Sequence, residues 1–400
     1  MKLLEFLELV TKHTSHRKTS INLVASENIS SPLVSAMLST DLRNRYSSDY
    51  YGGTSFINKI INKTENFIRD LFDADYALVS PLSGNMCDLA ILFGFVKHGK
   101  KVMVVNAGEN GGYPLDFEFF GRKKVVFEFS MDDMNLLIEE NIEAIKKHKP
   151  SLVIFGSSFI PFPHPVKEIT DEFQKRKTIN FAYDGSHVLG LLAGKEFQDP
   201  LREGAHILLG STHKSFPGPQ GGIILTNDMK RYEILSSIIN IDIEKGIRLI
   251  DNNHPNRIAA LGIAALEMLE FGKDYAKQIV KNSKALGKTL EKYNVPVKFK
   301  HLDYSESHQV ILKSEGYENN QIIKKRAESV GLIIDSGIRL GTSEVTRMGM
   351  KELEMKEIGE MIAQVYFNDL SENIERKIRN LADIFSKPSF CFTNVEEIPI

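Results

Sequence analysis

The 400-residue chain contains two cysteines, Cys87 and Cys391. They lie so far apart that they suggest neither a disulfide framework nor a metal-ligand cluster, so no metal is expected. A surplus of charge of either sign is missing too: 50 basic residues against 52 acidic ones leave a formal charge of −2. A chain so balanced carries no bulk basic signal for nucleic acid or a membrane surface. No apolar run is long enough to cross a bilayer. In the opening MKLLEFLELVTKH, Glu5 and Glu8 interrupt any signal-peptide core. That segment reads instead as an amphipathic helix that packs on something, a partner subunit being one option. Internal repeats and low-complexity tracts are also absent. The remaining expectation is a soluble globular protein of the cytoplasm, long enough to bury one large core and a smaller one.

From Ala77 to Thr226, short β-rich runs alternate with helical patterns: ALVS, KVMVVN, KVVFEF, LVIF, INFAYD, HILLG and GIILT. This alternation predicts an α/β fold, a mostly parallel sheet with helices on both faces. Ligands of such sheets bind outside the carboxyl ends of the strands. Residues 1–49 have little strand pattern and are expected to form an arm around a large domain, residues 50–255. Two linking helices, RIAALGIAALEMLEFG and DYAKQIVKNSKALGKTLEKY, fill residues 256–294. Residues 295–400 read as a smaller α/β domain.

The segment GSTHKSFPGPQGG, Gly210 to Gly222, places Lys214 on a tight connection between two core strands. Such a lysine either makes a buried ion pair or uses its amine, because a desolvated lysine can form a Schiff base with a carbonyl. One strand earlier, AYDGSH puts Asp184 at a strand's carboxyl end, as a turn residue or as a partner to that lysine. A lysine and a carboxylate together suit pyridoxal phosphate: the lysine holds the cofactor, and the carboxylate keeps its ring nitrogen protonated. The cofactor's phosphate needs a cradle, and SPLSGN runs from a strand into a helix with Ser83, Gly84 and Asn85 at the junction. Helix N-termini bind anions, although Ser83 and Asn85 are equally good N-caps. Ser211 and Thr212 can add hydroxyl donors. His187 either lies over the cofactor's phenolic edge or satisfies a core hydrogen bond, and His213 either touches the cofactor or points into the sheet. Arg339, in SGIRLGTSEVTR, is set among apolar neighbours. Its planar fork suits a substrate carboxylate, or an internal acidic residue.

These stretches, with NLVASENISSP, YYGGTSFIN, FGSSFIPFPHPV and AYDGSHVLGLLAGKEFQDPLREGA, make the chain resemble the serine hydroxymethyltransferases. The likeness is greatest to their archaeal branch. The resemblance implies a fold-type-I pyridoxal-phosphate transferase with a seven-stranded sheet and a smaller C-terminal domain. It makes Lys214 the Schiff-base lysine, Asp184 the ring-nitrogen partner and Arg339 the carboxylate clamp. It assigns Ser83 and Gly84 to the phosphate, Ser158 and His187 to the ring oxygen and Ser26 to the substrate carboxylate. Tyr46 and Tyr51 reach a neighbouring subunit's site, in a homodimer or dimer of dimers.

Three departures accompany the resemblance. After the tyrosine matching Tyr46 the family carries a glutamate and a GYPGKR-like loop, where this chain has Ser47 to Asp49. The family's long loop before SGIR is missing, and its ring-stacking histidine is replaced by Tyr113, which can still stack. Glu109 is a candidate substitute acid or base, or a solvent-exposed turn residue. The expected activity makes or breaks the Cα–Cβ bond of a β-hydroxy amino acid, with an aldehyde or one-carbon donor and without folate. The alternatives are an ordinary tetrahydropterin-dependent hydroxymethyltransferase and a lapsed relative that only binds the cofactor.

Overall fold

The computed structural model describes residues 2–48, 50–175, 178–240, 246–370 and 373–393. Asp49, which ends both the expected arm and the shortened Ser47–Asp49 segment, lies outside them, as do residues 394–400 of the expected small domain. The chain divides into two compact units, one comprising Ser30–Ala276 with the chain from Cys391, the other comprising the residues up to Ile29 with Lys277–Phe390.

The larger unit is built on a seven-stranded sheet. Its strands are β1 (Tyr76–Leu78), β2 (Lys101–Val104), β3 (Lys123–Val126), β4 (Leu152–Phe155), β5 (Asn180–Asp184), β6 (Ile207–Ser211) and β7 (Gly222–Thr226). They lie in the order β1-β7-β6-β5-β4-β2-β3. The ladders from β3 through β2, β4, β5 and β6 are all parallel, and β7 runs antiparallel to both β6 and β1. Strands β4, β6 and β7 are buried along their whole length, which is why they read as unbroken apolar runs instead of alternating ones. Leu78, Val102, Ile154, Ala182, Leu209 and Ile224 pack with Ile91 and Leu92 of the Gly84–Phe95 helix in one core cluster.

Two expectations need correction. The residues up to Ile29 belong to the smaller unit: Ile21 and Asn22 pair in parallel with Leu332 and Ile333. Ile21 and Leu23 are buried in that unit's core, with Leu286, Val310 and Leu340. A two-residue strand has no periodicity to read, and its partner lies at the other end of the chain. The two linking helices are one continuous helix, Pro255–Lys292. Gly272 lies inside it, and a close approach to the helix at this point calls for glycine at position 194. A Cβ on Gly194 would lie 2.5 Å from the Gly272 carbonyl oxygen and 2.4 Å from the Ala276 Cβ.

Candidate active site

Carboxyl ends of neighbouring parallel strands open on one edge of the sheet, and the chemistry-bearing residues collect there. Asp184 is the last residue of β5 and Ser211 the last of β6, with Lys214 three residues on. The loop that carries Lys214 is closed on itself. The Thr212 hydroxyl donates to the Pro219 carbonyl at 2.6 Å, and the Gly218 N–H donates back to the Thr212 carbonyl at 2.9 Å. On the far side of the lysine, Ser215 Oγ accepts the Gly190 N–H at 3.0 Å. Each such bond contributes about 1 kcal/mol. Together they hold the lysine's backbone in place while its long side chain stays half-buried.

Ser83, Gly84, Asn85, Tyr113, Ser158, Asp184, His187, Ser211, His213 and Lys214 all line one cavity of about 200 Å³. The Gly84–Phe95 helix begins at this cavity, with Ser83 as N-cap accepting the Met86 N–H at 3.2 Å. Gly84 has to be small: a Cβ there would lie 2.3 Å from Ser211 Oγ and 3.0 Å from Ser186 Oγ. A glycine at a helix start, faced by two hydroxyls, forms an anion cradle, and it is here that a phosphate fits. Ser186 Oγ itself accepts the Ser211 N–H at 3.0 Å, so the two serines are fixed against each other.

At the other end of the cavity, Asp184 Oδ1 accepts the Ser186 N–H at 2.9 Å. Gly156, after β4, has a φ of 98°, and a Cβ on it would come within 2.1 Å of the Asp184 carbonyl oxygen. This close approach brings the Ser157–Ser158 loop up to the end of β5. The Tyr113 hydroxyl donates to Asn85 Oδ1 at 3.2 Å, tying two lining residues of the cavity together. Burial raises the Tyr113 phenol above its ordinary value, and the carboxyl groups of Asp88 and Asp184 push the same way. Glu109 is exposed.

The substrate residues expected from the sequence divide between the two units. Ser26 and Arg339 lie in the smaller unit, close to each other. Gly341 donates its N–H to the Leu23 carbonyl at 2.7 Å, and Val24 bridges to Leu340. Arg339 is 7% exposed, and one of its terminal nitrogens donates to Asp335 Oδ2 at 3.1 Å, so the internal acidic partner is present. Tyr46 and Tyr51 are exposed in the larger unit, their rings stacked at 4.7 Å, and neither lines the cavity.

Three residues that line the cavity escaped the sequence reading: Asp88, Ser157 and Ser186. Ser186 sits inside the AYDGSH motif, between two residues that drew attention. Asp88 is four residues past Gly84, about one helical turn, so it shares a face with the cradle.

A lysine on a rigid strand-end loop, a carboxylate on the adjacent strand and a helix N-terminus facing one cavity define a pyridoxal-phosphate enzyme. A family model described as serine hydroxymethyltransferase matches residues 3–362, and the chain belongs to that family. The serine hydroxymethyltransferase of Methanobrevibacter smithii is 38% identical over 99% of this chain and 97% of its own length. That of Methanocaldococcus jannaschii is 37% identical over 94% of this chain and 92% of its own. Among solved structures, L-threonine transaldolase from Pseudomonas fluorescens, in its internal aldimine state, superposes with a TM-score of 0.89. It is 23% identical and matches over 98% of this chain and 94% of that one. The fold is the fold-type-I α/β architecture, the cofactor is pyridoxal phosphate, and the enzyme works on the Cα–Cβ bond of amino acids.

Proposed function

We propose that this enzyme makes or breaks the Cα–Cβ bond of a β-hydroxy amino acid, exchanging an aldehyde with glycine, serine or threonine without folate. Bound pyridoxal phosphate supplies an electron sink for the charge that develops at Cα. Lys214 anchors it through the side-chain amine, and the Asp184 carboxylate holds a proton on its ring nitrogen. Ser83, Gly84, Asn85, Ser211 and His213 cradle the phosphate, Tyr113 stacks on the ring, and Ser158 and His187 face the ring oxygen. Arg339 and Ser26 hold the substrate carboxylate, and Tyr46 and Tyr51 serve the site of a second subunit.

The observation that carries the folate-free reading is the segment between Tyr46 and Tyr51. Ser47–Asp49 stands where the resemblance to the family implies a glutamate and a longer loop. A pterin left without polar partners loses about 1–3 kcal/mol for each buried group unpaired. A homodimer is supported by the N-terminal helix, Lys2–Lys18, which buries none of its residues and exposes Leu3, Leu4, Phe6 and Leu7.

Identity of 38% over nearly the whole chain favours a second reading, ordinary hydroxymethyl transfer to a tetrahydropterin. Glycine α-proton exchange and serine cleavage, measured across a tetrahydrofolate and a tetrahydromethanopterin titration, separate the two. The folate-free enzyme shows no stimulation and releases aldehyde unaided. Saturable stimulation at micromolar pterin would establish the ordinary transferase.

A further inference from the structure

Asp88 is a buried carboxyl group for which the proposed chemistry has no use. It is 6% exposed and has no hydrogen-bond partner among the described residues. It lines the cofactor cavity together with Asp184 and Lys214. It also lines a narrow recess with Asp184, closed by the apolar side chains of Val104, Leu115, Phe117 and Ile154. A carboxyl group buried in an apolar recess beside a second one has its proton affinity raised by the burial and by the neighbouring negative charge.

The hydrogen bonds distinguish the two carboxyl groups. Asp184 accepts the Ser186 N–H at 2.9 Å. Asp88 receives no such bond. It is the fifth residue of its helix, past the first turn where the helix dipole would favour a negative charge. The charged groups facing it are Asp184 from β5 and Lys214 from the loop after β6, while Cys87 on its own helix is a buried thiol. Tyr113, His187 and His213 complete the titratable groups around the cavity. Burial first, then Asp184, drives the Asp88 carboxyl well above the usual carboxylate range, with Lys214 opposing.

We propose that Asp88 is a positioning residue that keeps a proton against Asp184, so that the pair presents a single negative charge to the protonated ring nitrogen of pyridoxal phosphate. A ring carrying one positive charge is then met by one counter-charge. The inference rests on the assignment of Asp184 to the ring nitrogen.

The test uses the full-length protein, native and Asp88→Asn, an amide that mimics a neutral acid in size and donor ability. At neutral pH, the infrared difference spectrum, native minus Asp88→Asn, should show the carbonyl stretch of one protonated carboxyl group, the band of other buried carboxyls such as Glu65 cancelling. Asp88→Asn should also hold pyridoxal phosphate within about threefold of native affinity, whereas Asp88→Ala should lose about tenfold or more. No protonated-carboxyl band in that difference spectrum overturns the proposal. So does an Asn variant that loses cofactor as badly as the Ala variant. If the Ala variant does not fold, the infrared comparison still decides. If native protein fails to take up pyridoxal phosphate at all, the cofactor assignment falls while the infrared result stands by itself.

Discussion

The backbone N–H of Gly156 donates to Nδ1 of His164 at 3.1 Å, tying the loop after β4 to a fully buried imidazole. Nδ1 accepts, so the ring is neutral with its proton on Nε2. Burial lowers this imidazole from 6.5 to about 4. The unfolded chain therefore takes up the proton first as pH falls. The contribution to stability is fully present above about pH 6.5 and is lost between there and about pH 4. A shift of that size is worth about 3 kcal/mol. His206, also lowered to about 4 chiefly by burial, titrates in the same window. We predict that the thermal midpoint falls through this range and that His164→Gln, which keeps an acceptor but cannot charge, removes about half of the slope. An unchanged slope in the variant would assign the acid sensitivity to other groups.

Holoprotein should be yellow, and borohydride should fix the cofactor to the peptide that contains Lys214. Lys214→Ala should give no label. Because Thr212 and Ser215 hold the loop backbone independently of the lysine side chain, this variant should unfold within about 0.5 kcal/mol of native. Peptide mapping and chemical denaturation check both statements, and label on another lysine would overturn the assignment.

Arg339 is ion-paired with Asp335, so a substrate carboxylate held by Arg339, as proposed, would share or displace that partner. Arg339→Lys keeps the charge but loses the two-pronged geometry, and should weaken glycine and serine binding about a hundredfold, with cofactor affinity little changed. Asp335→Asn should act in the opposite direction and tighten amino-acid binding, since it frees the guanidinium from its competitor. Spectral titration of the holoprotein with glycine measures both. Unchanged affinity in the Lys variant would place the clamp elsewhere.

Strands β4, β6 and β7 were legible in the sequence because each is an apolar run long enough to stand out, and glycine or proline turns delimit them. Asp184 and Lys214 were legible for a related reason: the parallel sheet fixes which strand ends share an edge. Ile21–Asn22 was not, because a two-residue strand acquires meaning only through Leu332–Ile333, hundreds of positions away. The boundary at Gly272 misled because an isolated glycine weakens a helix locally, and the packing that carries the helix through it is not visible in the sequence. Asp88 passed unnoticed because an acidic residue near a helix start is ordinary. Its burial beside a second carboxyl group is a property of the sheet edge, not of the helix.

Strand β7, the one member of the sheet that runs against its neighbours, also bears on the order of assembly. It makes the lysine loop a local hairpin with β6, whereas Leu78 of β1 reaches Ile224 of β7 across most of the larger unit's sequence. Contacts near in sequence close quickly, and distant ones wait. The hairpin that carries Lys214 therefore closes early in folding. The cradle at Ser83 and Gly84 takes shape once β1 docks and Gly222 donates its N–H to Pro81 at 2.9 Å. A cofactor held by both halves of the cavity, as proposed, would bind only chains whose sheet is complete and would stabilise them by mass action.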